Sequence, residues 1–515
     1  MPGVRRIRWQ GGRANGVAKE SVRAKVFSAV SSKMNVPNQI QNALTRRAFL
    51  QQSSTGLGAL ALSALMKPDL FSMDPGTGAA VPGTLQRLHF APKAKRIIFL
   101  FMSGAPSHLD LFDPKPKLTE MTGKDLPDSV RKGQRITTMT SGQKNLLCVG
   151  SPFKFAKYGQ AGMDISELLP NLAKIADDCT FVRTVFTDPI NHDPAVTFFA
   201  SGSQQPGRPT MGAWLAYGLG SANRDLPSFV VLTSGGGGQT LQTRYWGSGF
   251  LPAQFGGVQF RNAGDPVLFT SNPPGISATT RRQLLDATND LNRLALGELG
   301  DPAITAQIEN YELAFRMQTS VPELTDLSKE PKEVLDLYGA TPGKPSFANN
   351  CLLARRLAER DVRFIQLCHR DWDHHGGLPA GLRQKCLETD QGAAALITDL
   401  KQRGLLDDTL VIWGGEFGRT AYSQGEIKPD NFGRDHHPRC FTMWMAGGGV
   451  KRGYVHGETD DFGYNIVRDP VHVHDLHATL LQLLGVDHKR MTFRHEGRDY
   501  RLTDVSGDVV KALIA

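Results

Sequence analysis

Beyond residue 70 the sequence has no apolar run of eighteen or more residues and no dense patch of one charge. A membrane-spanning helix needs about 20 consecutive apolar residues, so we expect no membrane span in the mature protein. Residues 1–70 contain eleven Lys or Arg and two acidic residues, whereas the remainder contains 48 of each sign. The net charge of +9 therefore belongs to the N-terminal segment, and the neutral remainder argues against nucleic acid as a partner.

Several motifs of known chemistry are also missing. The six cysteines include no Cys-x-x-Cys pair, which excludes a zinc ribbon or a thioredoxin-type motif, although their even number permits disulfides in an exported protein. No Gly-x-Ser-x-Gly elbow and no Gly-x-Gly-x-x-Gly opening a helix are present. These absences disfavour an elbow-type serine hydrolase and a dinucleotide-binding enzyme.

The N-terminal segment carries an export signal. Residues 45–50 read Thr-Arg-Arg-Ala-Phe-Leu, and a stretch of small and apolar residues follows at 56–66. A paired arginine before a hydrophobic segment of about eleven residues fits a twin-arginine signal and is too short to span a bilayer. We therefore expect a leader at 1–72, a Gly/Pro-rich linker at 73–94, and a periplasmic or cell-surface location.

The body, residues 95–515, alternates short apolar runs with helical patterns. The runs predict strands at 96–102, 180–184, 228–232, 362–367, 409–413 and 441–445. The helical patterns lie at 166–178, 279–318, 346–360, 386–403 and 473–484. This alternation predicts an α/β fold whose mostly parallel central sheet is sandwiched between helices, with the site at the carboxyl ends of the strands. A Gly-rich, aromatic stretch at about 235–274 is interpreted as an insertion over that edge.

Eight of the fourteen histidines fall in three short clusters, at 369–375, 436–437 and 472–477. The first cluster follows a predicted strand and the second precedes one, and both lie beside carboxylates. A metal site assembled from several strand ends needs this combination of imidazole and carboxylate. The third cluster opens a predicted helix, where we expect a structural role.

Four residues are the candidate metal ligands. Asp373 and His375 share a loop and can converge on one ion, although a His-rich loop can also be structural. Glu416 follows Gly414-Gly415 at the end of a predicted strand and can bind a cation. His436 can be a ligand with the neighbouring Asp435 orienting its other nitrogen.

Four further residues are candidates for catalysis. Arg419 can hold an anionic group with two hydrogen bonds, although an ion pair with Glu416 that closes a turn is the alternative. His108 and Asp110 lie in the loop after the first strand, where a doubly wound fold places functional residues, although a capped turn would also explain them. His192 lies in a polar segment after the strand at 180–184.

The C-terminal half resembles sulfatases of the alkaline phosphatase-like superfamily. The matching segments are Thr-Leu-Val-Ile-Trp at 409–413, Gly-Gly-Glu-Phe-Gly at 414–418, Met-Ala-Gly-Gly-Gly-Val at 445–450 and the run from His474 to Gly485. The resemblance implies a parallel-rich sheet between helices with a metal-dependent site at the strand ends.

More closely, the chain resembles an exported bacterial family known as domain of unknown function 1501. The twin-arginine leader carries this resemblance together with segments 102–116, 249–252, 369–377, 433–438 and 497–504. The sequence departs from sulfatases where their nucleophile lies, since 191–194 reads Asn-His-Asp-Pro with no cysteine to become formylglycine. It also has Glu416-Phe417 where sulfatases have an Asp-His pair, and Ser103-Gly104 where they have an aspartate.

Together these features predict an exported metal-dependent hydrolase of sulfate, phosphate or related esters. A metal-bound water would replace the missing nucleophile. Asp373, His375, Glu416 and His436 would hold a divalent ion, either Zn, Mn, Ca or Mg, and Arg419 would bind the anionic group in the transition state. The alternative is a catalytically inactive protein on a sulfatase fold that binds an anionic glycan or a partner protein.

Overall fold

The computed structural model describes residues 81–237, 241–261, 265–267, 272–273, 275–428 and 430–515. The twin-arginine motif and the whole predicted leader lie outside the described residues. The first described residues, Val81–Pro82, pair antiparallel with Gly220–Ser221.

Among the described residues, nine strands form the central sheet and two more form a hairpin beside it. The sheet strands are β1 Arg96–Met102, β2 Cys179–Phe186, β3 Phe229–Ser234, β4 Val258–Phe260, β5 Phe364–His369, β6 Thr409–Gly414, β9 Phe441–Ala446, β10 Tyr454–His456 and β11 Val471–His472. The hairpin strands are β7 Gly418–Lys428 and β8 Asn431–His437. Shorter strand pairs join Phe155–Tyr158 to Met163–Ser166, Glu458–Thr459 to Ile466–Arg468, and Phe493–His495 to Arg498–Tyr500.

The strand order in the sheet is β10-β2-β9-β6-β1-β5-β3-β4, and β11 pairs with β2 beside β10. Every pairing is parallel except those of β9, which runs antiparallel to both β6 and β2. Strands β1, β2, β3, β5 and β6 consequently end at one edge of the sheet, and β9 begins there. The predicted α/β fold with a mostly parallel sheet is confirmed.

Helices cover both faces of the sheet. The longer ones are α1 His192–Ser201, α2 Met211–Leu219, α3 Ala278–Leu299, α4 Pro302–Thr325, α5 Lys332–Tyr338, α6 Phe347–Glu359, α7 Leu378–Gln402 and α8 Val473–Leu483. Four short helices occupy His108–Leu111, Pro116–Glu120, Asp128–Arg131 and Pro170–Lys174. Successive side chains of β1 point to opposite faces, as in any strand. One face packs into the hydrophobic core that contains α6 and α7, and the other packs into the core that contains α1, α2 and α8.

Two sequence-predicted helices differ from those in the structure. The pattern at 279–318 forms two helices, because the chain reverses at Gly300, whose φ is +65°, and restarts at Asp301, whose side chain accepts a hydrogen bond from the Ala303 amide. The pattern at 166–178 is helical only over Pro170–Lys174, with a single 3₁₀ turn following at Ala176–Asp178. Part of the predicted insertion, Val258–Phe260, forms the edge strand β4 rather than a covering loop.

All six cysteines are buried and unpaired. Burial raises the pKa of each thiol, so they behave as small apolar groups in the cores. Within the described part of the chain, every helix is too short or too polar to cross a membrane.

Candidate metal centre

Four side chains from three parts of the chain meet at the carboxyl edge of the sheet. His192 begins helix α1 after β2, Asp373 and His375 follow β5, and His436 lies on the hairpin strand β8. One potential ligand atom of each lies within 4.8 Å of the other three. The cluster therefore forms where the direction of the strands predicts a site.

The carboxylate of Asp373 lies at the centre of the cluster. Its Oδ1 atom lies 2.8 Å from Nε2 of His375, 3.2 Å from Nε2 of His192 and 3.5 Å from Nε2 of His436. The Nε2 atoms of His375 and His436 are 3.0 Å apart. Ligand atoms bound at about 2.0–2.1 Å to a tetrahedral ion lie about 3.4 Å from one another, which falls within the 2.8–3.5 Å range of these four distances.

The other ring nitrogen of each imidazole is held by an acceptor outside the cluster. Nδ1 of His192 lies 2.5 Å from Oε1 of Glu416, Nδ1 of His436 donates to the backbone oxygen of Ile190 at 2.8 Å, and Nδ1 of His375 bonds the amide oxygen of Gln424. A carboxylate and two carbonyl oxygens accept hydrogen bonds only, so each Nδ1 carries a proton.

With Nδ1 as the donor, the neutral form of each ring directs its Nε2 lone pair at a centre shared with a carboxylate oxygen of Asp373. Nε2 of His192 is buried and makes no hydrogen bond of acceptable geometry among the described residues. Converging lone pairs repel one another unless a cation lies between them, and metal-ligating histidines are oriented through their second nitrogen in this way. The residues present thus fit a divalent metal ion.

Glu416 and Arg419 lie behind the cluster and orient it. Glu416 is fully buried, and both of its carboxylate oxygens accept from the amide of Gly104, at 3.1 and 3.3 Å. Arg419 is 1% exposed and donates to Oδ1 of Asp373 at 2.6 Å. Its remaining contacts are backbone oxygens, including those of Ala105 at 2.9 Å and Arg434 at 3.1 Å. All three nitrogens of the guanidinium are engaged within the protein.

Two glycines allow the supporting loops to approach the ligands. A Cβ atom on Gly104, whose φ is +108°, would lie 2.7 Å from the amide nitrogen of Asp373. A Cβ atom on Gly433 would overlap the backbone carbonyl of His375. Asp371 adopts φ +80° between β5 and the ligand loop, a left-handed conformation that turns the chain towards the cluster.

The side chains of the cluster shift the pKa values of one another. Burial alone would raise the pKa of Asp373, but its close contacts with the rings of His192, His375 and His436 and the charge of Arg419 hold it well below its usual value. Burial lowers the pKa of His436 to about 4, against the opposing effect of Asp373. For His192 the effect of burial is outweighed by the nearby carboxylates of Asp373 and Glu416, which raise its pKa. An ionised carboxylate therefore faces the three rings throughout the neutral range.

Access to the cluster is through His375. Its side chain is 24% exposed, compared with 16% for Asp373, 8% for His192 and 4% for His436. A site with one accessible side has room for a substrate or a water beside the protein ligands.

His108 and Asp110 lie away from the cluster in a buried ion-pair network. Nε of Arg434 donates to Oδ2 of Asp110 at 2.7 Å, and both side chains are fully buried. Nε2 of His108 lies 3.3 Å from the backbone oxygen of Gly463, and burial lowers its pKa to about 4. Because Arg434 belongs to the same strand as His436, the Asp110–Arg434 pair anchors the strand that carries a candidate ligand.

The structure brings together Asp373, His375 and His436 from the predicted ligand set and adds His192, which the sequence suggested for catalysis. Glu416 does not join the four ligand atoms. Gln424, which orients His375, carries no motif and was missed, since only the irregular pairing of β7 with β8 brings it to the ring.

The fold and these four side chains define an α/β protein with a candidate metal centre of three histidines and one aspartate at the carboxyl edge of its sheet. The family described as "Protein of unknown function (DUF1501)" matches residues 94–514. The chain belongs to this family, as the sequence motifs predicted.

Three solved structures with remote similarity to the chain are the following. The PsFucS1 sulfatase from Pseudoalteromonas sp. is 12% identical, with a TM-score of 0.33 over 77% of this chain and 68% of that chain. An alkaline phosphatase superfamily protein from Vibrio parahaemolyticus is 12% identical, with a TM-score of 0.32 and coverages of 82% and 73%. The lipoteichoic acid synthase LtaP from Listeria monocytogenes is 9% identical, with a TM-score of 0.31 and coverages of 82% and 78%. No curated protein sequence matches the chain.

Proposed function

We propose that this protein is an exported metal-dependent hydrolase of phosphate, sulfate or related esters. The observation that carries the proposal is the convergence of three Nε2 atoms on Oδ1 of one aspartate, with each Nδ1 bound to an acceptor outside the cluster. Ligands of one metal ion must converge on a common point, and a ligating imidazole usually has its second nitrogen held by an acceptor.

The donor set favours a transition metal over Ca²⁺ or Mg²⁺. Imidazole nitrogen suits Zn²⁺ and related ions, while Ca²⁺ and Mg²⁺ prefer sites made of oxygen atoms. His192, His375 and His436 with Asp373 would hold the ion, and Zn²⁺ or Mn²⁺ is our preferred occupant. When bound, such an ion supplies a Lewis acid for ester hydrolysis.

The remaining residues position the ligands. Glu416 holds the ring of His192 and is itself held by the amide of Gly104. Arg419 fixes the carboxylate of Asp373 and neutralises part of its charge. We propose these positioning roles in place of ligation by Glu416 and anion binding by Arg419, because both side chains are buried and their polar atoms are engaged within the protein.

The proposed substrate class rests on the motifs shared with sulfatases and on the twin-arginine leader. An exported protein meets ester-substituted glycans and envelope polymers, and the accessible side of the cluster at His375 admits a group from solvent. The segments that resemble sulfatases lie in β6, at the end of β9 and in α8.

The test compares two aspartates that lie two residues apart. The purified full chain is assayed on p-nitrophenyl phosphate, bis(p-nitrophenyl) phosphate and p-nitrophenyl sulfate, with its metal content measured by mass spectrometry. We expect Asp373→Asn to lose both metal and hydrolysis, because it removes the shared oxygen charge. The matched control is Asp371→Asn, since asparagine adopts the left-handed conformation of Asp371 readily, and it should retain both.

The outcomes separate the two functions considered. Metal with turnover that Asp373→Asn abolishes supports the hydrolase. Metal without turnover on any ester, with retention of a sulfated glycan, supports the catalytically inactive binding protein instead. A folded wild-type chain that takes up no metal overturns the proposal.

A further inference from the structure

A second set of polar side chains lies at the same edge of the sheet, outside the metal cluster. Ser234 is the last residue of β3 and His369 is the last residue of β5, and the two are paired directly in the sheet. Oγ of Ser234 lies 2.9 Å from Nδ1 of His369. On the other side of the ring, Nε2 of His369 lies 3.0 Å from Oε2 of Glu388 in helix α7.

This hydrogen-bonded chain lines a cavity of about 850 Å³. The imidazole is 2% exposed, while Ser234 is half-buried in the cavity wall. The wall also includes Gly235, Trp246, Arg261 and Arg370, and none of the four candidate metal ligands belongs to it. A cavity of this size accommodates a small organic ligand.

The hydrogen bonds assign one tautomer to the ring. The carboxylate of Glu388 only accepts, so Nε2 carries the proton and Nδ1 presents its lone pair to the hydroxyl of Ser234. Hydrogen bonding to His369 lowers the pKa of Glu388 to about 2, and burial lowers the pKa of His369. Nζ of Lys385 lies 2.9 Å from the same Oε2 of Glu388 and 3.5 Å from Asp371, and Arg370 is a further charged group in the cavity wall. The ring is consequently neutral and the acid ionised at neutral pH, as a hydroxyl–imidazole–carboxylate relay requires.

We propose that Ser234 is the nucleophile of a second, metal-independent active site that cleaves carboxylic esters, with His369 as general base and Glu388 as its positioning residue. The sequence has no elbow motif, and the site instead uses adjacent ends of two parallel strands. This proposal is independent of the metal centre and does not rest on its function.

The chemistry is balanced by groups already present. Oγ of Ser234 forms a bond to the acyl carbon while its proton moves to Nδ1 of His369, and the bond from that carbon to the alcohol oxygen breaks. The departing alcohol takes the proton from Nδ1. A water molecule then repeats the sequence at the acyl-serine, which releases the carboxylic acid and restores the hydroxyl proton of Ser234.

The backbone after Ser234 leaves space for an acyl group. Gly235, Gly236 and Gly237 follow the serine and are exposed. Gly235 has φ +77°, and a Cβ atom there would lie 2.9 Å from the backbone oxygen of Arg370. A side chain at this position would displace the loop that carries His369 and Arg370, so the glycine preserves the approach to the hydroxyl.

The test uses a fluorophosphonate probe on the purified full chain, with mass spectrometry to locate the modified residue. We expect labelling at Ser234 and slow hydrolysis of p-nitrophenyl acetate. Ser234→Ala should abolish both, whereas Ser248→Ala, a half-buried serine in the neighbouring segment, should leave both unchanged. His369→Gln should slow labelling by about 100-fold or more, the usual contribution of a general base.

Glu388 is tested through rescue. Glu388→Gln should slow labelling, and Glu388→Asp should recover part of the rate, which a purely structural contact would not do. A folded chain whose Ser234 remains unlabelled, or whose labelling survives in Ser234→Ala, overturns the proposal. Labelling of Ser234 that persists with chelator and in Asp373→Asn shows that the two sites are separate. The esterase proposal and the metal-site proposal can therefore fail independently of each other.

Discussion

Two groups in this protein each contain three histidines and one aspartate, but the hydrogen-bond partners of their rings differ. In the metal cluster, His192, His375 and His436 turn their Nε2 atoms towards one carboxylate. At helix α8, Nε2 of His474 lies 3.0 Å from the backbone oxygen of Gly202, and Nε2 of His477 lies 2.8 Å from that of Phe199. The first arrangement leaves lone pairs for a cation, whereas the second uses the rings as hydrogen-bond donors to the fold.

The comparison shows that acceptor placement decides what a buried histidine can do. Carbonyl and carboxylate acceptors at Nδ1 free Nε2 for a ligand, while an acceptor at Nε2 removes it. Asp475, the acid in the α8 group, accepts from the backbone amide of His472 and caps the helix. It therefore stabilises the start of α8 and does not lie between the rings.

The largest expected difference between the groups is in metal binding. His436→Gln removes a ligand and should weaken metal affinity by at least about 100-fold, whereas His477→Gln should leave it unchanged. Competition with a chelator of known affinity measures both values. Equal metal affinities in His436→Gln and His477→Gln would show that the two histidine groups do not differ in metal binding.

A substitution at Glu416 tests how much the orientation of the His192 ring contributes to metal affinity. Glu416→Gln keeps the size of the side chain but loses the charge that holds Nδ1 of His192. Metal affinity should fall by about 10–100-fold, which is typical for loss of a residue that orients a ligand. The same chelator competition measures it, and an unchanged affinity would exclude the proposed role.

The histidines at helix α8 should instead affect how the free energy of unfolding depends on pH. Burial, reinforced by the charge of His474, lowers the pKa of His477 from about 6.5 in the unfolded chain to about 3. The unfolded state binds the extra proton as the pH falls below 6.5, so the free energy of unfolding decreases progressively from there towards pH 3. At pH 5 this single group costs about 2 kcal/mol.

His477→Gln keeps a donor for the backbone oxygen of Phe199 and removes the titration. The loss of unfolding free energy between pH 7 and pH 5, measured by urea denaturation, should be about 2 kcal/mol smaller in the variant. An unaltered pH dependence would mean that this ring is protonated in the folded protein.

The smallest effect is expected at His472, whose Nδ1 accepts from the amide of His474 at the start of α8. His472→Ala loses this cap and should cost about 1 kcal/mol of unfolding free energy without change in metal content. Chemical denaturation and elemental analysis of the same sample test both parts. Loss of metal here would show that the helix group also takes part in ion binding.

Much of the fold was predictable because its core strands are continuous apolar runs. Strand β1 has the predicted bounds, and β6 and β9 extend one residue beyond theirs. The hairpin of β7 and β8 was not predicted, since it buries polar residues such as Arg434 whose partner, Asp110, is distant in the sequence.

The site was predictable in location but not in the role of each residue. Acids and histidines after strand ends indicated the correct edge of the sheet. Whether Glu416 or His192 faces the centre depends on loop backbone, including the left-handed turn at Asp371, and on a contact of Glu416 with the amide of Gly104. Such contacts join segments more than 200 residues apart and leave no local pattern.

The most direct test of the central claim is an anomalous difference map, collected at the absorption edge of the metal that elemental analysis finds, from crystals of the full chain. The account predicts one strong peak between Asp373, His192, His375 and His436, and no peak at His472, His474 and His477. A metal bound elsewhere, or a well-ordered cluster with no peak at full metal supplementation, would contradict it.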